Sequence, residues 1–166
     1  MRLLGKGGLL IVLLLMFQTA FAEDTQKADT VLVIKSEKRL YLLNKGVPFA
    51  SLSVTFGGQP KGHKQSRGDQ RTPEGHYRLD YKNVNSQFYK SIHISYPNAE
   101  DRAGARKLGL SPGGDIMVHG QANGWEWAAP IVQLLSWTDG CIALSNKDMD
   151  QVWVAVDPGT PIEIRP

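Results

Sequence analysis

From residue 31 onward, apolar positions come in short bursts bounded by glycine, proline and polar residues, the pattern of a strand-rich domain. Val31-Leu32-Val33-Ile34 reads as a buried strand and residues 38–43 as a second. Asn44-Lys45-Gly46 makes a short connection into residues 47–56, where Pro48, Ala50, Leu52, Val54 and Phe56 alternate with mostly small or polar neighbours. A period of two puts those five on one face, which predicts a hairpin with one side on a core. Residues 57–70 hold glycine, lysine and arginine with almost no apolar side chain, and so predict a surface loop.

The alternation resumes after Thr72-Pro73-Glu74-Gly75, where proline presets one φ angle and glycine permits the positive φ of a tight reversal. Strands are predicted at 76–81, at 92–96 and at 115–119, the last opened by Gly113-Gly114 and ending on His119. Residues 98–108 are rich in alanine, arginine and acids and precede Gly109, which suits a short helix or a structured loop. A second short helix is expected over 128–135. Ser145, with Asp148 three residues on, resembles a capping box, and Met149, Val152, Trp153 and Val156 recur at helical spacing. That helix should lay its apolar stripe on the sheet until Asp157-Pro158-Gly159 stops it, leaving 160–164 as a last strand. The sequence shows no repeat and no second domain. The expectation is one mainly β domain with short helices over 31–166, after a frayed polar lead-in at 23–30.

The first 22 residues have a different pattern. Arg2 and Lys6 precede an apolar run through Phe17, and Ala20-Phe21-Ala22 puts small residues at the positions a signal peptidase reads. The run is shorter than a membrane span needs, so a signal peptide cleaved after Ala22 is expected, with a periplasmic mature chain and no stable membrane insertion. Of the 19 Lys and Arg residues, removal of Arg2 and Lys6 leaves 17 against 16 Asp and Glu, too near neutral to argue for nucleic acid. In an oxidising compartment cysteines usually pair. This chain has one, Cys141, so an intramolecular disulfide is excluded and the thiol is either a buried small hydrophobe or a nucleophile.

A cysteine nucleophile needs a base, a group that orients the base, and donors for the oxyanion formed when a carbonyl is attacked. His119 at a strand end offers the base, and a backbone carbonyl such as that of Gly120 could orient its ring. The turn Thr138-Asp139-Gly140-Cys141 could aim backbone N–H groups, Gly140 among them, at one spot. A nucleophilic thiol should be partly exposed, with a depressed pKa. Trp125, Trp127 and Trp137 flank the segment as a candidate cleft wall, although aromatic residues are core by default. His63, His76 and His93 are more simply read as solvated or hydrogen-bonded.

Val118-His119-Gly120, a loop and short helix, then Thr138-Asp139-Gly140-Cys141-Ile142 and Asn146 resemble the signature of the L,D-transpeptidase (YkuD) catalytic domain. Thr72-Pro73-Glu74-Gly75 with Tyr77, and Gly159-Thr160-Pro161, are similar to that family's upstream turn and closing strand entry. Tyr96-Pro97-Asn98 and Gly113-Gly114-Asp115-Ile116 look most like its compact, YafK-like branch. The resemblance implies a YkuD-like β-sandwich with short helices and no metal or organic cofactor. It also implies that Cys141 attacks the meso-diaminopimelate carbonyl of a peptidoglycan stem peptide, with His119 as general base and acid. An amine resolving the thioester gives a cross-link; water gives L,D-carboxypeptidase or hydrolase action, on stem peptides or on wall-protein links.

Two positions depart from the family pattern. Asp139 stands where many members carry a second histidine, and Ala143 where many carry arginine, so Arg67, Arg71, Arg102 or Arg106 is expected to meet a substrate carboxylate, with Asn146 also a candidate contact. Two other readings stay open: a non-catalytic wall-binding module, and a metal hydrolase using His119, Cys141 and Asp115 or Asp139. The second ranks last because the spacing matches no compact zinc motif. The chain is expected to be a monomer.

Overall fold

The computed structural model describes residues 26–125, 127, 131 and 135–166. The predicted signal peptide lies outside the described residues, as does most of the helix expected at 128–135.

Eight strands and two helices are present: β1 (Thr30–Ile34), β2 (Arg39–Asn44), β3 (Val47–Ser53), β4 (Gly75–Asn83), β5 (Ser91–Ile94), α1 (Ala99–Lys107), β6 (Met117–His119), β7 (Ile142–Ala143), α2 (Asn146–Ala155) and β8 (Thr160–Arg165). They form one sheet in the order β3-β2-β1-β8-β4-β5-β6-β7, antiparallel except where β1 meets β8 and β6 meets β7. The chain after β3 then pairs with the opposite edge. Thr55 and Ala143 exchange both backbone hydrogen bonds, at 2.9 and 3.0 Å, and Gly57 bridges to Thr138. These bridges draw the sheet round a single core and cover the β7 edge.

This closure explains where the predicted 47–56 strand ends. Leu52, Val54 and Phe56 are buried as the alternation requires, whereas Pro48 is exposed at the hairpin tip and Ala50 half-buried. The strand pairing of β3 with β2 stops at Ser53, Val54 N–H donates to Lys38 O at 3.0 Å, and Thr55 to Gly57 belong to the closing bridges. The β7 strand is only two residues long and would not be singled out by periodicity.

Both helices dock through capped starts. In α2, Ser145 Oγ accepts the Asp148 N–H at 3.1 Å, and Met149, Val152 and Ala155 face the core. The reciprocal capping box is found in α1: Asn98 Oδ1 accepts from Glu100 and Asp101 N–H, while Asp101 Oδ2 accepts from Asn98 N–H at 2.8 Å. The described end of the lead-in is docked rather than frayed, because Ala28 N–H donates to Ala155 O at 2.9 Å and Ala28 is buried.

The polar 57–70 loop is ordered from within. Asp69 accepts from Gln65, Ser66 and Arg71 N–H and from the buried Lys64 Nζ at 2.8 Å. Burial alone would raise the Asp69 pKa, but the Lys64 hydrogen bond and those backbone donors outweigh it and hold the carboxyl at about 2.

Candidate active site

Parallel pairing of β6 with β7 sets Val118 beside Ile142 and His119 beside Ala143. Because strand side chains alternate, Val118 and Ile142 enter the core, while Met117, His119 and Cys141 line one cleft of about 560 Å³. The rest of its wall comes from the β4–β5 connection, through Asn83, Asn85, Ser86, Gln87 and Phe88, and from Asp115, Trp137, Thr138 and Asp139.

Local contacts hold the cysteine turn. Thr138 Oγ1 donates to Cys141 O at 2.7 Å and accepts the Gly140 N–H at 3.3 Å, so one hydroxyl spans the turn. Gly140 has φ +120°, and a Cβ there would lie 2.4 Å from Arg71 O. Gly57 packs on its other side, where a Cβ would meet Gln70 O at 2.1 Å and Gly140 N at 2.9 Å. Two glycines thus let the 57–71 segment pass directly against the turn that carries the thiol.

His119 is 3 % exposed. Its Nδ1 lies 2.7 Å from Gly120 O, an acceptor, so Nδ1 carries the proton and Nε2 presents a lone pair. Phe88 lies tilted on the ring at 4.7 Å and Trp137 meets it edge-on at 5.8 Å. Burial pushes the His119 pKa below its ordinary value, offset in part by the Gly120 carbonyl. The residues after it are laced to those after the cysteine. Leu144 N–H donates to His119 O at 2.9 Å, Gln121 Nε2 to Leu144 O at 2.8 Å, and Gln121 N–H to Asn146 Oδ1 at 2.8 Å.

Cys141 Sγ accepts the Met117 N–H at 3.4 Å and lies 3.7 Å from Asp115 O. Burial raises its pKa above the ordinary thiol value; the Met117 N–H and the charge of Lys64 act in the opposite direction, and Asp139 and Asp115 add to the rise. The depressed thiol pKa expected from sequence is therefore not found. The physical reason is that desolvation of this half-buried thiol outweighs the Met117 N–H and the charge of Lys64, while His119, its own pKa lowered by burial, supplies no cation.

Several expected contacts are placed elsewhere. None of the four arginines lines the cleft. Arg67 lines an adjoining cavity, Arg71 contributes its backbone to the Gly140 packing, and Arg102 and Arg106 are exposed on α1. Asn146 accepts from the Gln121 N–H, so its side-chain oxygen secures the loop after His119. Trp125 and Trp127 are stacked at 6.1 Å and exposed, outside the cleft lining; Trp137 alone of the three is in it. Ala143 is fully buried in β7. His63 and His93 are engaged with Asp101 and Asp80, and His76 is largely exposed.

Sequence reasoning missed Phe88 and the neutral amides of residues 83–87, which carry no periodic signal. Among the described residues, no group of three His, Cys, Asp or Glu side chains is arranged to hold a metal ion, and no helix is long and apolar enough to cross a membrane.

The YkuD family model, the L,D-transpeptidase catalytic domain, matches residues 28–164. The chain belongs to the L,D-transpeptidase catalytic domain family. It is 32% identical over 94 residues to YafK of Escherichia coli (strain K12), an alignment covering 55% of this chain and 30% of that protein. Pgp2, the helical cell shape determining protein of Campylobacter jejuni, superposes with TM-score 0.61 at 26% identity, covering 81% of this chain and 46% of Pgp2. An L,D-transpeptidase of Mycobacterium tuberculosis H37Rv shares the fold at TM-score 0.54 and 18% identity, over 82% of this chain and 57% of the other. This L,D-transpeptidase domain chain thus spans less than half of the length of YafK or Pgp2.

Proposed function

We propose that this chain is a periplasmic cysteine acyl-transferase acting on peptidoglycan stem peptides, with Cys141 as nucleophile and His119 as general base and acid. One observation carries the reading: Cys141 and His119 share one wall of a cleft, with His119 Nδ1 tethered to Gly120 O so that Nε2 is free to accept.

Thiol and imidazole both rest neutral, so proton transfer accompanies attack. Nε2 takes the thiol proton as sulfur bonds to the meso-diaminopimelate carbonyl carbon, and the carbonyl electrons move to oxygen. The Gly140 N–H, released from its long contact with Thr138 Oγ1, is the oxyanion donor we assign. Collapse expels the terminal D-amino acid, whose amine leaves with the proton from Nε2, and a thioester remains. An acceptor amine then attacks the thioester, His119 takes its proton, and the thiolate leaves and is reprotonated. Water in place of the amine gives carboxypeptidase or hydrolase action. Residues 1–22 export the chain in this reading, and it needs no cofactor.

Intact-protein mass spectrometry after incubation with purified muropeptides tests the proposal. A covalent adduct on the wild-type chain, absent from Cys141→Ala, supports it, and the released muropeptides separate cross-linking from trimming. A folded chain that forms no adduct and leaves the muropeptides unchanged would instead be a wall-binding module.

A further inference from the structure

Beside the cleft, and sharing Asp115 and Asp139 with it, lies a second cavity of about 290 Å³ whose wall also holds Lys64, Arg67, Gly68, Gly113 and Gly114. Three of its charged residues, Arg67, Asp115 and Asp139, are solvent-exposed. Lys64 is occupied, donating to Asp69 Oδ1 and Ser66 O. The Arg67 guanidinium and the carboxylates of Asp115 and Asp139 make no ion pair with one another or with any other described residue. One cationic and two anionic residues therefore line one small solvent-open space without forming an ion pair. The frame is fixed by backbone: Arg67 N–H donates to Ser111 O at 2.8 Å, and a Cβ on Gly113 would lie 3.2 Å from Arg67 Cα. The cavity is also next to the chemistry, because the Asp115 carbonyl oxygen is 3.7 Å from Cys141 Sγ.

We propose that this cavity is a subsite for a free α-amino-acid head group, its carboxylate on Arg67 and its ammonium on Asp115 and Asp139. Both charges are needed: a lone carboxylate would meet two carboxylates, and a lone ammonium would meet an unpaired guanidinium. Charge-assisted hydrogen bonds of both signs select the zwitterion over either half. The inference rests on the acyl-transfer reading only for its role. The head group then belongs either to the side chain of the acylating residue or to the incoming acceptor.

The binding test does not depend on turnover. Free diaminopimelic acid is titrated calorimetrically into the chain, alongside its diamide and its N,N′-diacetyl derivative. The zwitterion should bind at least tenfold more tightly than either blocked form, roughly what one charge-assisted contact supplies. In Arg67→Gln that preference over the diamide should vanish. In Asp115→Asn with Asp139→Asn the preference over the diacetyl form should vanish; asparagine is well tolerated at the positive φ of 55° found at Asp115. Equal binding of all three ligands, or an Arg67→Gln loss that is the same for the diamide, overturns the subsite. Near-UV circular dichroism and a urea-unfolding midpoint matching the wild type show that the variants keep the fold intact.

Acylation by donor peptide and thioester release by free amino acid then separate the two sources. A slowing confined to acylation places the head group on the donor, and one confined to release places it on the acceptor. Zwitterion binding without any acylation leaves the subsite standing and removes the acyl-transfer reading.

Discussion

His119 Nδ1 donates to the carbonyl oxygen of the next residue, Gly120, at 2.7 Å. A chain carbonyl thus plays the orienting part that a carboxylate plays in many cysteine and serine sites, and it does so without adding a negative charge. A carboxylate would raise the histidine pKa strongly. With the carbonyl as partner, burial prevails and the pKa falls.

The acylation rate should accordingly persist into mildly acid solution. A base with a lowered pKa stays unprotonated below the ordinary histidine value of about 6.5 and is lost only as pH falls through the lowered value. Single-turnover acylation measured against pH checks this; a limb at or above the ordinary value contradicts it.

The raised thiol pKa gives a separate expectation. Alkylation by neutral iodoacetamide should be slow near neutrality and climb through and above the ordinary thiol value of 9.0. A fast, pH-independent reaction at neutral pH would show a thiolate–imidazolium pair instead.

Gly120→Ala should impair acylation far more than stability. The added Cβ would lie 2.7 Å from Asn146 Oδ1 and 2.9 Å from Tyr89 Cβ, so the loop carrying the orienting carbonyl must shift. We expect a loss of about tenfold or more in the acylation rate, and of about 1–3 kcal/mol in stability as the Gln121 contact to Asn146 is strained. Urea denaturation beside single-turnover kinetics separates the two.

Gly140→Ala should be worse. Here the φ of +120° is unfavourable for alanine, and the Cβ falls 2.4 Å from the backbone oxygen of Arg71, which has no side-chain freedom to yield. A loss of roughly 3 kcal/mol or more is expected. Gly46→Ala, with φ +77° and nothing within 4 Å, should cost only about 1 kcal/mol. Thermal or urea unfolding of the pair checks the contrast.

Asp69→Asn should destabilise the chain by about 2 kcal/mol at neutral pH. The Asp69 pKa is lowered on folding, from 3.8 to about 2. Its contribution is therefore complete above the unfolded value and lost as pH falls through the folded one. The side chain is only 15% exposed, so solvent screening removes little of this. Wild type and variant should converge near the folded value in urea titrations at low pH; a constant gap would contradict the argument.

The mainly β character of the fold was largely legible in the order of apolar bursts. Residues 31–34, 76–81 and 160–164 each lie within an observed strand, 38–43 matches β2 but for Lys38 in the turn before it, and the stripe of Met149 and Val152 lies on α2. These are elements whose own period marks a buried face. Ile142-Ala143 was not legible as a strand, since two residues have no period; it is one because Thr55 and Met117 to His119 flank it in space. The basic 57–70 loop lies on the surface as predicted, but within it Lys64 is buried through the turn that Asp69 organises.

For the candidate site, the sequence by itself determined the residue types: one cysteine after an Asp-Gly turn, a histidine closing a strand, and a glycine following it. Their chemistry is a property of side chains and needs no fold to be recognised. The tertiary structure alone decided the rest. Parallel pairing of β6 with β7 put residues more than twenty positions apart on one wall, and the β4–β5 connection brought Phe88 onto the imidazole. The same packing made Asn146 Oδ1 the acceptor of the Gln121 N–H and left Arg71, Arg102 and Arg106 outside the cleft. It also reversed the expected direction of the cysteine pKa. Desolvation and the neighbours present are what shift a pKa, and both arise only once distant segments pack together.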